Sequence, residues 1–374
     1  MKIGILTLPL HTNYGGVLQA YALQYSLHSM GHEPYLIDCR LDPRYFNFAK
    51  RPALWIIRAL SWSIPPLAEH LADSELRMRA NKVVMRRNVE SFIARNIPMR
   101  HYFDYCFIAK RDFDAIVVGS DQVWRPQYFK PIFSAYLDFA SRWPIRRVAY
   151  AASFGLDEWQ YSEFQTEQCQ RLLKLFDHVS LRESSGVELC HKHLLRQACQ
   201  VLDPTLLLPK EVYIALVEQA RVQPSGGNMM ISILDSDPDK SAVVERLSTH
   251  YSATTFSVNS RVEDRKAPLE ERIQPPVEQW LQGFIDAEYV VTDSYHAALF
   301  AIIFKKPFVV YANKDRGYTR FLSLFSSLGL ERQLLNCSSE LLPDNIFDID
   351  WEGVNSKLDF LRDESLGFLF SSLK

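Results

Sequence analysis

The chain has 374 residues, of which 47% are hydrophobic and 23% charged, and its formal net charge is −2. This length fits about two domains, each with its own core, and the composition excludes a disordered or fibrous protein. The near-neutral charge argues against a nucleic-acid binder. No uninterrupted apolar run reaches the roughly 18 residues of a membrane span, and the first residues lack the pattern of a signal peptide. We therefore expect a cytoplasmic protein.

The cysteines and acidic residues show no metal-binding pattern. The six cysteines are scattered and none forms a C-x-x-C pair, which argues against a zinc ribbon or a thioredoxin. No Asp/His cluster has the spacing of metal ligands. We expect packing roles for the thiols, and neither a metal nor a cofactor.

The first half of the chain alternates between strand and helix patterns. A buried strand is predicted at residues 3–8, followed by a turn at 11–16, a helix at 17–30 and a second strand at 35–38. Such alternation is typical of a parallel sheet with helices on its faces. Further strands are predicted at residues 115–119, 147–151, 178–182 and 200–204.

Residues 40–111 interrupt this alternation. They contain 14 Lys/Arg and 6 Asp/Glu, a local charge of +8, together with Trp55 and Trp62. We interpret the stretch as a basic, helical insertion. Residues 53–67 either form a cationic amphipathic surface for the anionic inner membrane or belong to a helical cap whose charges are solvated.

The pattern restarts after residues 204–209, which resemble a hinge between two halves. Strands are predicted at 229–233, 254–258, 289–292 and 307–311, and helices at 240–250, 280–286 and 297–304. We therefore predict an N-terminal α/β domain at residues 1–205 and a C-terminal one at 206–374. The C-terminal helix is expected to pack back on the first domain.

Polar residues follow the predicted strands, where open α/β sheets bind ligands. Most of them also have a structural explanation that involves no ligand. Gly15 and Gly16 form either a tight turn or a ligand loop, and they do not make up a dinucleotide fingerprint. Asp121 could cap a helix, as could Asp293 and Ser294. Arg182 and Glu183 could form a surface ion pair of little energetic value.

His296 is the strongest single candidate. It lies at the start of an apolar helix that follows a buried strand. The helix N-terminus favours a neutral imidazole, and a bound anion would oppose that effect. A histidine balanced in this way can act as an acid or a base near pH 7.

At least six motifs resemble, in content and order, those of the polysaccharide pyruvyl transferase family. The opening strand with Asn13-Tyr14-Gly15-Gly16 is similar to the family's N-terminal signature, and Asp293-Ser294-Tyr295-His296 is similar to its Asp-Ser-Phe-His-Gly box. Ala297 departs from the family's glycine, which narrows backbone access beside His296. The remaining motifs are residues 118–124, 150–155, 181–183 and 202–205, and Arg320 before Leu328-Gly329-Leu330. The resemblance spans about residues 1–335.

The resemblance implies two Rossmann-like domains facing a cleft, as in B-type (GT-B) glycosyltransferases. It implies transfer of a pyruvyl group from phosphoenolpyruvate to two hydroxyls of a sugar, forming a cyclic ketal. The acceptor would be a bacterial capsule or exopolysaccharide, or its lipid-linked repeat-unit precursor. His296 matches the family's catalytic histidine, and Arg182 matches its donor-binding arginine, to which we also assign a catalytic role. The other predicted donor-binding residues are Ser153, Ser294 and Arg320, and the predicted acceptor or cleft-lining residues are Asn13, Tyr14, Gly15, Asp121 and Gln122.

Two other functions fit the same residues. One is a nucleotide-sugar-dependent glycosyltransferase of the same two-domain fold, which would bind a nucleotide sugar and not phosphoenolpyruvate. The other is a carbohydrate-binding relative without turnover, which the presence of both Arg182 and His296 argues against.

Overall fold

Two parallel β-sheets organise the chain, one in each half. The computed structural model describes residues 1–39, 65–235, 237–262, 264, 266–312, 317–338 and 345–374, with only the backbone of residues 65–80. The first sheet has seven strands in the order β3-β2-β1-β4-β5-β6-β7, and all neighbouring pairs are parallel. The strands are β1 (Lys2–Leu6), β2 (Glu33–Cys39), β3 (Met99–Tyr102), β4 (Ala115–Val118), β5 (Arg146–Ala152), β6 (His178–Leu181) and β7 (Cys199–Gln200).

The second sheet has five parallel strands in the order β12-β11-β10-β8-β9. Its strands are β8 (Met229–Ser232), β9 (Thr255–Phe256), β10 (Tyr289–Thr292), β11 (Phe308–Tyr311) and β12 (Leu334–Leu335). In each sheet the strand order reverses between two neighbouring strands. These are β1 and β4 in the first sheet and β8 and β10 in the second. Ligands in open α/β sheets bind at such points.

Helices cover both sheets. In the first half they are Tyr14–Ser29, Pro65–Asn96, Glu163–Leu173 and Ser184–Leu194, and in the second half Lys210–Ala220, Pro238–His250, Val277–Asp286, Tyr295–Ile303, Tyr318–Leu328 and Trp351–Ser372. Among the described helices, none combines the length and the apolarity that crossing a bilayer needs. The helix Tyr295–Ile303 is buried at every position, because it lies between the second sheet and the first domain.

The insertion differs from the predicted helical cap in two ways. Its polypeptide returns to the sheet as the edge strand β3, which the sequence did not reveal because Arg100 and His101 interrupt any apolar run. Its helix also contacts the second domain: the Asn88 side chain donates to the Gln274 carbonyl at 2.8 Å, and Arg95 pairs with Glu278 at 2.7 Å. Of residues 53–67, those up to 64 lie outside the described residues, so the membrane interpretation stays a prediction.

The segment predicted as a strand and then a hinge forms a buried turn. The strand β7 ends at Gln200, and Pro204–Leu207 is a 3₁₀ helix whose first free N–H, that of Thr205, donates to the Asp203 side chain. Pro204 has no N–H to give to a sheet, which favours this early end of the strand. The domain boundary at residue 205 itself stays a prediction.

The last helix, Trp351–Ser372, returns to the first domain. Ser365 Oγ accepts a hydrogen bond from the Leu202 amide at 2.9 Å, and Arg362 donates to the Leu206 carbonyl at 2.8 Å. Phe368 contacts the buried ring of Tyr150, a residue of β5. The final helix therefore ties the second half of the chain to the segment that joins the two sheets.

Candidate active site

His296 lies where one helix from each domain begins. It follows β10 as the second residue of the helix Tyr295–Ile303, whose N-cap is Ser294. The Ser294 hydroxyl accepts from the Ala297 amide at 3.5 Å, so of the two caps considered Ser294 takes this position, and Asp293 pairs with Lys240 instead. His296 is 6% exposed, and its imidazole faces the first domain.

Gly15 packs directly against that imidazole. The first helix begins at Tyr14 and not at residue 17, because the exposed Asn13 caps it by accepting from the amides of Gly15 and Gly16. A Cβ built on Gly15 would lie 2.5 Å from the His296 Cβ and nearer still to its Cγ and Nδ1. The two glycines are therefore helical residues and not a loop, and the missing side chain at Gly15 makes room for His296.

Asp203 is the residue that joins His296 to Arg182. Its Oδ1 accepts from the amide and the hydroxyl of Thr205 at 3.0 and 2.8 Å. Its Oδ2 accepts from Arg182 Nη1 at 2.6 Å and lies 3.6 Å from His296 Nε2. The structure thus brings His296 and Arg182 to a single carboxylate oxygen.

Arg182 is enclosed by acidic groups. Its Nη2 donates to Asp121 at 3.2 Å, and Glu183 lies 4.0 Å from its Nε. Only 1% of the Arg182 side chain is exposed, so the alternative of a surface ion pair with Glu183 is wrong. Asp121 does not cap a helix; it lies just after β4, at the point where the strand order reverses, and pairs with Arg182.

Tyr295 holds the two arginines of the cluster. The guanidinium carbons of Arg182 and Arg320 lie 4.8 and 4.9 Å from the centre of its ring, within the range of cation–π attraction. Arg320 is buried and projects from the helix Tyr318–Leu328. That helix is held against the first domain by Ser323, which accepts from the Ser184 amide at 2.9 Å.

The charges of this cluster support one another. Burial alone would raise the pKa of Asp203, but the neighbouring His296 and Arg182 outweigh it and hold that pKa well below its ordinary value. Burial opposes ionisation of Asp121 too, and Arg182 and His296 still lower its pKa. Both aspartates are therefore ionised at neutral pH. Burial lowers the pKa of Arg320, and the neighbouring positive charge of Arg182 lowers it further.

The remaining predicted residues have other hydrogen-bond partners. Ser153 is buried, and its hydroxyl accepts from the Gly155 amide at 3.0 Å. Gln122 accepts from Arg125 at 2.9 Å. Tyr14 stacks on Trp280 and donates to the Pro275 carbonyl at 2.9 Å, so it joins the two domains. The binding roles predicted for these residues stay predictions.

Sequence reasoning missed three members of the cluster. Asp203 was placed at the end of a predicted strand, Glu183 was considered only as a surface partner of Arg182, and Tyr295 was named only within its motif. Glu183 and Asp203 both come just after strands of the first sheet, so the rule that ligand-binding residues follow strand ends could have found them. Among the described residues, no three His, Cys, Asp or Glu side chains are arranged to hold a metal ion.

Two parallel sheets of Rossmann type, with a charged cluster between them, define a two-domain protein of the GT-B-like class. A model of the polysaccharide pyruvyl transferase family matches residues 13–315. The chain belongs to this family of transferases.

Solved structures with the same plan are distant in sequence. UDP-GlcNAc 2-epimerase from Neisseria meningitidis, bound to UDP-GlcNAc, has a TM-score of 0.50 and 10% identity over 98% of this chain and 94% of that one. It supports the fold. Arabidopsis thaliana UGT89C1 complexed with quercetin has a TM-score of 0.47 and 12% identity over 100% of this chain and 99% of that one. Acinetobacter baumannii MurG has a TM-score of 0.45 and 10% identity over 99% of this chain and 98% of that one. No curated protein matches the sequence.

Proposed function

We propose that the protein transfers a pyruvyl group from phosphoenolpyruvate to two hydroxyls of one sugar. The methylene carbon of the donor gains a proton and becomes a methyl group. The two sugar oxygens bond to the neighbouring carbon, whose bond to the phosphate oxygen breaks. Of the two hydroxyl protons released, one balances the proton gained by the methylene and the other leaves with phosphate. The products are a cyclic ketal and inorganic phosphate.

The observation that carries this proposal is the position of His296 between two helix N-termini. The helices Tyr14–Ser29 and Tyr295–Ile303 both begin beside the imidazole. Helix N-termini attract phosphate and carboxylate groups, and phosphoenolpyruvate carries both. A histidine at that point is well placed to carry one of the protons that the reaction moves.

Arg320 and Arg182 supply the positive charge expected beside such a donor, and Ser294 a hydroxyl. Arg182 is paired with Asp203 and Asp121, and Arg320 is buried beside Tyr295 on the helix Tyr318–Leu328. We therefore propose that both arginines contribute to donor affinity.

The acceptor we propose is a sugar of a polysaccharide or of its lipid-linked precursor. It would occupy the side of the site formed by Asn13, Tyr14, Gly15, Asp121 and Gln122. We further propose a cytoplasmic protein with peripheral contact at the inner membrane, without cofactor, metal or nucleic-acid partner.

The test is a calorimetric titration with phosphoenolpyruvate, UDP-sugars and GDP-sugars, followed by phosphate-release assays with a panel of sugar acceptors. We expect phosphoenolpyruvate to bind and the nucleotide sugars not to bind. His296→Ala should keep donor affinity and lose turnover, whereas His191→Ala, at an exposed helix position, should change neither. Binding of a nucleotide sugar alone would favour the glycosyltransferase, and sugar binding with no turnover would favour the non-catalytic relative.

A further inference from the structure

The Asp203 carboxylate is fixed in one orientation. Thr205 occupies Oδ1 with two donors, and Arg182 approaches Oδ2 from one side. Ser120 Oγ lies 3.5 Å from the same oxygen. The side chain is fully buried, so it cannot turn to water. His296 Nε2 also lies beside Oδ2, at 3.6 Å.

Among the described residues, Asp203 is the acidic partner of His296 Nε2. The atom is buried and makes no hydrogen bond within the part of the chain that the structure describes. Asp203 Oδ2 is 3.6 Å away, slightly beyond a hydrogen bond, and catalytic hydrogen bonds are often long before substrate binds. Because Nε2 is enclosed, proton exchange with a substrate falls to Nδ1, the atom that a side chain at residue 15 would cover.

We propose that Asp203 is the positioning residue of His296, an inference that rests on the proposed pyruvyl transfer. Asp203 Oδ2 keeps the imidazole proton on Nε2 and stabilises the imidazolium that forms when Nδ1 accepts a proton from an acceptor hydroxyl. The proton then leaves from Nδ1, and the Nε2 proton stays in place. An aspartate behind a histidine sets its tautomer and orientation in the same way in other enzymes.

The first test is an NMR measurement of the imidazole nitrogen chemical shifts in the substrate-free protein, with the His296 signals assigned from their absence in His296→Gln. In Asp203→Asn we expect the neutral imidazole to lose its preference for a proton on Nε2, because the carboxylate that accepts this proton is removed. Asp293→Asn is the matched control, since it removes another buried carboxylate, paired with Lys240 at 2.7 Å, and should leave the His296 tautomer unchanged. The same tautomer in Asp203→Asn and in the unmodified protein would overturn the proposal.

A second measurement uses the unmodified protein, so it does not depend on whether a variant at position 203 folds. The nitrogen chemical shifts of neutral His296 in the unmodified protein should show the proton on Nε2, and a proton mainly on Nδ1 would contradict the proposal. Both measurements use protein without phosphoenolpyruvate, so they stand even if pyruvyl transfer is not the reaction. If transfer is observed, Asp203→Asn should lower turnover by about 10²-fold or more, and normal turnover in the folded variant would refute the role of Asp203 while leaving the function intact.

Discussion

Replacing Gly15 by alanine tests the packing of the two domains at His296. The new methyl group would lie 2.5 Å from the His296 Cβ and closer to two ring atoms, where ordinary contacts begin near 3.5–4 Å. Because the Cβ of His296 is fixed to a buried helix, a change of rotamer cannot relieve the contact. One of the two helix N-termini must shift by about an ångström.

The expected cost follows from two opposing effects. Overpacking of a filled site costs about 1–3 kcal/mol, and alanine gains up to about 1 kcal/mol over glycine in a helix. We therefore expect Gly15→Ala to lower the free energy of unfolding by about 1–2 kcal/mol in urea denaturation. Turnover should fall by more than this loss of stability explains, because His296 is displaced.

Gly16→Ala is the matched control. It lies in the same helical turn, but a Cβ there meets its nearest neighbour, the Asn13 side chain, at 3.7 Å. We expect it to be neutral or slightly stabilising, with normal turnover. In His296→Ala the Gly15→Ala change should lose the part of its cost that comes from the ring atoms and keep the part that comes from the Cβ, and a double-mutant cycle measures the difference. Gly15→Ala with the stability and activity of Gly16→Ala would refute the reasoning.

Three further predictions concern catalysis, pH and the insertion. His296→Ala should lower turnover by about 10²–10⁴-fold with Asn and Gln giving no rescue, and a folded variant with normal turnover would remove the catalytic role. The pKa of Asp121 is lowered in the folded protein, so Asp121 contributes stability above its unfolded pKa of about 3.9, and this is lost as pH falls toward the folded value. Urea denaturation between pH 5 and 3 should therefore show that the free energy of unfolding falls less steeply with acidification in Asp121→Asn than in the unmodified protein. An identical slope would contradict the lowered pKa of Asp121. Replacing the apolar side chains of the insertion by serine should release the protein from anionic vesicles without unfolding it, and unmodified protein that never co-sediments would leave only a structural role. These side chains are Trp55, Ile57 and Trp62.

The sequence predicted those parts of the fold that depend on local apolar pattern. The strand at residues 289–292 has the predicted bounds, because its side chains are apolar between two polar ends. The edge strand β3 was missed, since half-buried edge strands need no apolar run. The predicted strand at 254–258 shrinks to Thr255–Phe256, where pairing with β8 ends.

The site was predictable as a set of residues and not as a set of contacts. His296 and Arg182 were singled out because each follows a strand. No local pattern indicated that Asp203 lies between them, because its partners are distant along the chain and meet only when the two sheets pack. The burial of Arg182 also escaped prediction, since an Arg-Glu pair has the same sequence on a surface as in a core.

The insertion helix Pro65–Asn96 has a mechanical consequence for the two domains. Two-domain enzymes commonly open and close about a hinge, yet here Met85, Asn88 and Arg95 of one helix all contact the segment from Gln274 to Glu278 on the other domain. Any rotation of one domain must carry this helix along or break those contacts one by one. The helix therefore restrains the motion of one domain relative to the other. Substitutions along it should alter how fast substrates enter and products leave, while the chemical steps keep their rates.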